Sequence, residues 1–215
     1  MTDQTVKKLV LEELGWEPSI DAAHIGVTAR DGIVSLTGHV ASYAEKFAAE
    51  QAAGRVVGVK AIADELEVRY FDGAMRGDEE IAKQAIQVLA WDILVPKDKV
   101  KIKVDKGWVT LSGHLDWNYQ KRSAETDVRK LDGVTGLTNM IVLKPDLKPS
   151  DVQKKIKDAL DRNAQIESDD IVVPTDGGKV TLKGKVHTYF ERNLAERTAW
   201  SAPGVTAIDD QMTFA

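Results

Sequence analysis

The residues of this chain that could do chemistry recur; they do not cluster. Its four histidines, His24, His39, His114 and His187, are the candidate metal ligands and general bases, in a sequence without cysteine. His39 and His114 each follow a glycine, Gly38 or Gly113, but Lys185 follows the equivalent Gly184. No second ligand stands at metal spacing on the same strand, so all four read as outward-facing strand histidines. Glu50, Glu125 and Glu196 are candidate acids. Each lies twelve residues after one of those glycines. Recurrence in every copy fits a helix-surface ion pair or a loop cap better than a catalytic acid. Asp64, Asn139 and Asp210 also recur, on the inward register of a strand, where leaving such a group unpaired would cost about 1–3 kcal/mol. They read as partners for backbone groups. The distinctive set belongs to the middle third: Lys99, Lys101 and Lys103 alternate along one strand, Trp108 opens the next, and Trp117 follows. Ammonium groups beside an indole on an accessible face suit anionic lipid headgroups or an acidic partner. Lysines on an edge strand also guard against edge-to-edge aggregation, and Trp108 could pack against a neighbouring unit.

The elements that hold these residues are written three times. The pairs Gly32/Gly38, Gly107/Gly113 and Gly178/Gly184 are each six residues apart, and Gly-Val returns twenty residues after the second glycine at Gly58, Gly133 and Gly204. Such register defines a repeat. Each copy opens with an apolar stripe at helical spacing, Val6, Leu9, Val10 and Leu14 in the first, Ile81, Ala85, Ile86 and Leu89 in the second. Alternating strands follow, joined by a turn in which glycine supplies positive φ. Ser42-x-x-Glu45 and Thr188-x-x-Glu191 are capping boxes for a second helix, and a third strand closes the unit. The strand–helix–strand half is long enough for a right-handed parallel crossover, while the hairpin is antiparallel. The expected fold is α+β: three tandem αββαβ units, each a three-stranded mixed sheet with two helices on one face. The units span residues 2–71, 77–145 and 149–215. Pro174 falls within the first strand of the third unit and places it at an edge. Trp16 and Trp91, at matching helix ends, read as lids on the cores. The short linkers 71–77 and 144–149 predict that the units touch.

Composition narrows the classes. The net charge is −5, but it is unevenly divided: 7 Lys+Arg against 12 Asp+Glu in residues 1–72, 12 against 11 in 73–147, and 10 against 11 in 148–215. No segment has the basic excess that drives phosphate-backbone binding, which argues against nucleic acid. No stretch approaches the ~20 apolar residues of a membrane span. The start lacks the apolar core of a signal peptide, so the expected location is cytoplasmic as written, or periplasmic if an export signal was removed.

Gly107-Trp108-Val109-Thr110-Leu111-Ser112-Gly113-His114-Leu115, then a helix, then Gly133-Val134 and Asn139-x-Ile141, resembles the BON domain of bacterial osmotic-stress and envelope proteins. All three units match, so the resemblance covers nearly the whole chain. It implies no catalysis and no cofactor, and binding roles: phospholipid surfaces, stress protection and, in one cytoplasmic relative, potassium sensing. The resulting expectation is a non-enzymatic binding or scaffold protein of stress or envelope physiology. It would associate weakly with anionic phospholipid or an envelope partner through the second unit, by way of Lys99, Lys101, Lys103, Trp108 and Trp117. The alternative is a sensor that holds a monovalent or divalent cation between units by backbone carbonyls.

Overall fold

Val6, Val10 and Leu14 are buried on one side of helix α1 (Asp3–Trp16), as are Ile81, Ala85 and Leu89 on α3 (Asp78–Trp91) and Val152, Ile156 and Leu160 on α5 (Val152–Asp161). In each case the burial follows the i, i+4, i+8 stripe. The computed structural model describes residues 1–70, 76–144, 152–162 and 171–214; most of both expected linkers lies outside them.

Unit one continues with β1 (Ile25–Arg30), β2 (Ile33–Val40), α2 (Tyr43–Arg55) and β3 (Ala61–Val68). Unit two has β4 (Val100–Asp105), β5 (Trp108–Leu115), α4 (Asn118–Arg129) and β6 (Gly136–Leu143). Unit three has β7 (Ile171–Val172), β8 (Thr175–Asp176), β9 (Lys179–Val186), α6 (Tyr189–Trp200) and β10 (Ala207–Phe214). The first two sheets run β1-β2-β3 and β4-β5-β6, antiparallel across the hairpin and parallel across the helical crossover. In the third, β10 pairs parallel with β9, while β7 and β8 share its other side. Pro174 explains that split. It has no N–H for the ladder, so the expected edge strand is there but broken in two.

Both faces of the alternation behave as their residue types require. Val34 and Leu36 are fully buried in unit one, Val109 and Leu111 in unit two, Val180 and Leu182 in unit three. Each such side chain stabilises its core by about 1.5–3 kcal/mol. The second helices lie close on their sheets through Ala49, Ala52 and Ala53, through Ala124, and through Ala195 and Ala199. Three separate apolar cores result, one per unit. The caps form as read: Ser42 Oγ accepts from Glu45 N at 3.1 Å while Glu45 accepts from Ala41 N at 2.8 Å. Thr188 and Glu191 repeat the exchange. In unit two Gln120 accepts from Trp117 N at 3.1 Å, so the reverse half of the box survives without a hydroxyl at the cap.

The two helix-end tryptophans correct the reading from sequence. Trp16 is 84% exposed and Trp91 75% exposed, so neither is a core lid. Each stands two residues past the last buried position, Leu14 or Leu89. At about 100° per residue that turns the indole away from the sheet. Ile86, counted with the apolar stripe, is exposed as well.

Candidate functional site

The open sheet face of unit two is uncovered. Trp108 is 52% exposed, and Met140 and Val142 on β6 are exposed with it. Strand pairing sets Lys101 beside Ser112, Lys103 beside Thr110 and Thr110 beside Thr138, so lysines, hydroxyls and the indole form adjacent columns. Lys99, Lys101 and Lys103 are all exposed. Trp108 lies against the backbone of Gly136: a Cβ there would stand 2.3 Å from its ring. Its Nε1 donates to Thr138 Oγ1 at 2.9 Å. The ring is therefore fixed by its own sheet, not by another unit. Trp117 does not join it. It sits two residues beyond the far end of β5, a strand roughly 23 Å long at about 3.3 Å per residue. There it is half-buried and stacked on Tyr119, with ring centroids 6.3 Å apart.

A second exposed apolar area escaped the sequence reading. Trp91 ends α3, Ile93 and Leu94 follow just past it, and Ile93 is 96% exposed. A shallow groove lined by Ile86, Val95, Pro96 and Lys97 adjoins them against the edge strand β4. Lys99, exposed, immediately precedes that strand and follows this corner in the chain. The signal was present as three large apolar residues around an Asp92 cap.

The recurrent polar residues have structural employment. Asp64, Asn139 and Asp210 each accept from the backbone N–H two residues on, at 3.0, 3.2 and 2.9 Å. Their other atoms meet the second helix: Asp64 pairs with Lys46 at 3.2 Å, Asp210 with Arg192 at 2.5 Å, and Asn139 donates to Lys121 O at 3.1 Å. The recurrent glutamates differ from one another. Glu125 accepts from Arg129 at 2.5 Å and from Asn139 Nδ2 at 3.1 Å, while Glu196 accepts from the Trp200 indole at 3.4 Å. Glu50 is held above the usual carboxylate range, chiefly by burial and then by the charge of Asp64.

These glutamates belong to helix faces that meet one another. Phe47, Arg122 and Asn193 are equivalent in the repeat, as are Gln51, Thr126 and Arg197, and all six line one hollow between α2, α4 and α6. Arg129 caps the Phe47 ring, Tyr43 and Trp200 pack on the core of unit two, and Tyr189 abuts Gly54. Tyr70 Oη donates to Val134 O at 2.8 Å. The units touch as expected. Periodicity within one unit could not reveal which face they share.

The histidines stay apart from this junction. His24 and His39 stack with centroids 4.5 Å apart. Among the described residues no three His, Asp or Glu are grouped to hold a metal, and no helix is long and apolar enough to cross a membrane.

Comparison with known proteins agrees with the repeat. The family model for the BON domain matches residues 2–70, 77–145 and 149–215. Osmotically-inducible protein Y of Escherichia coli (strain K12) is 31% identical over 143 residues, covering 65% of this chain and 71% of that protein. A solved structure of CdsD, a structural protein of the type III secretion system of Chlamydia trachomatis, aligns over 97% of this chain and 91% of its own. At 15% identity and a TM-score of 0.27, that likeness carries no argument.

Proposed function

Since the chain belongs to the BON domain family, whose model matches it three times, we propose that it is a non-enzymatic binding and scaffold protein of stress or envelope physiology that docks on anionic phospholipid through unit two. The relative's name ties that protein to osmotic induction, which motivates the stress half of this reading. The lipid half rests on one observation: among the described residues, unit two alone leaves lysines, an indole and apolar side chains together on an exposed sheet face. Lys99, Lys101 and Lys103 supply the attraction, at about 1 kcal/mol each near an anionic surface. Trp108, Met140 and Val142, with the Trp91–Leu94 corner across β4, supply amphipathic and apolar area for the headgroup boundary. Trp117, remote from Trp108, is left out of the contact.

Co-sedimentation with phosphatidylglycerol vesicles tests the reading, with phosphatidylcholine as the reference. Binding should require the anionic lipid, weaken as salt is raised, and fall about fivefold for each lysine neutralised. Sedimentation indifferent to lipid charge, or unchanged by Lys101→Glu and Trp108→Ala together, would remove it. A cation between units is the weaker alternative, because the inter-unit hollow is lined by Lys121, Arg122, Arg129 and Arg197 against Glu125 and Glu196.

A further inference from the structure

The hollow where α2, α4 and α6 converge is lined largely by cationic and polar side chains. Its volume is about 450 Å³, within the range of small-molecule sites. Residues 118, 121, 122, 125, 126 and 129 of α4 line it, one continuous helical face, and 193, 196, 197 and 200 of α6 face them. The protein carries a net charge of −5, yet cations outnumber carboxylates here. They still do when Glu50 is added, whose charge is felt by Arg129.

We propose that this junction binds a small multivalent anion of the phosphate or polycarboxylate class, held by Lys121, Arg122 and Arg129 from unit two and Arg197 from unit three. The carboxylates of the lining are already engaged: Glu125 by Arg129 and Asn139, and Glu196 by the Trp200 indole. The donors are not. Arg129 Nε is buried with no hydrogen-bond partner, although its Nη2 reaches Glu125. A largely buried guanidinium with an unpaired N–H carries its charge at a cost, and an anion beside it offsets that cost. Lys121 gives one of its three protons to Ile141 O at 2.9 Å. Burial also pulls its pKa below the ordinary lysine value, a desolvation that an anion would relieve. Arg122 and Arg197 are exposed at the rim, where two guanidinium forks can each take an anion bidentately. Because α4 and α6 come from different units, an anion here would also fasten the units together.

This site is independent of the lipid face, and one set of experiments separates them. Isothermal titration calorimetry of the full chain with sodium pyrophosphate and with sodium citrate, against sodium chloride of equal ionic strength, should give saturable heat at one site. Arg129→Gln and Arg197→Gln should each weaken that binding about tenfold. Arg197 is exposed and its variant is expected to fold even if the Arg129 variant does not. Lys101→Glu should leave the pyrophosphate affinity unchanged while lowering vesicle binding. The free anion and a lipid headgroup share this chemistry. Loss of phosphatidylglycerol vesicle binding in Arg197→Gln assigns the seat to a headgroup, and unchanged vesicle binding assigns it to a soluble anion. No saturable heat with either anion, or affinities untouched by Arg197→Gln, overturns the proposal whatever the vesicles do.

Discussion

The Arg129 guanidinium lies 3.4 Å from the centroid of the Phe47 ring, so the second helix of unit two is fastened to that of unit one by a cation–π contact. The side chain of Arg129 is 13% exposed, and a desolvated contact of this kind contributes about 1–2 kcal/mol. Phe47→Leu retains apolar bulk but removes the π face. It should lower the stability of the unit one–unit two assembly by about 1 kcal/mol, read as a drop in the denaturant midpoint. A midpoint equal to wild type would mean that Arg129 rests on Phe47 without gain.

Gly113 predicts a more local failure. Its φ is +136°, and a Cβ there would stand 2.1 Å from the carbonyl oxygen of Lys99. Backbone has to move to admit any side chain, at about 2–4 kcal/mol. Gly113→Ala should abolish hydrogen-exchange protection across β4 and β5 while leaving that of β1 and β2 intact, because each unit has its own core. Uniform loss of protection across units one and two would show that they unfold as one body.

The same glycine shows how far the sequence was legible. Gly38, Gly113 and Gly184 mark the repeat by spacing alone, and from that spacing, the apolar stripes and the capping boxes the αββαβ order follows. The reason at Gly38 and Gly113, the close approach of the carbonyl that enters the first strand, needs coordinates. Lys101, Lys103 and Trp108 could be placed on one face because strand alternation is strict. Whether another unit covered that face could not be read, since inter-unit packing leaves no period. By residue type Trp16 and Trp91 belong in a core, but the angle past Leu14 and Leu89 carries both indoles away from the sheet. The α2–α4–α6 junction was invisible for the opposite reason. Its equivalent positions carry Phe47, Arg122 and Asn193, so no shared chemistry marks a shared surface.

Glu50 gives a pH dependence with a definite sign. Burial, and next the charge of Asp64, hold its carboxyl above the ordinary 4.5. The folded state therefore binds the proton more tightly than the unfolded chain. Its stabilising contribution is complete below pH 4.5 and is lost as pH rises through the higher folded value. Glu50→Gln, neutral throughout, should be more stable than wild type at pH 7 by about 0.5 kcal/mol, the modest value reflecting partial solvent screening. The difference between the two proteins should shrink as pH is lowered through that window. Thermal melts from pH 4 to 8 check this, and a Gln variant less stable at pH 7 would mean that Lys46 and Arg129 outweigh the burial.

Ile93 separates a role in folding from a role in binding. At 96% exposure it contributes almost nothing to the core of unit two, so Ile93→Ser should leave the melting temperature within about 1 °C of wild type. If the corner formed with Trp91 and Leu94 enters a headgroup layer, the same change forfeits apolar burial of about 1 kcal/mol, or about fivefold in vesicle affinity. Trp108→Ala should behave differently, because its ring covers Gly136 and its N–H satisfies Thr138. That variant should lose both stability and lipid binding. A pair of variants that divide in this way would place lipid contact on both sides of β4. Equal vesicle binding by wild type and Ile93→Ser would confine the contact to the open sheet face.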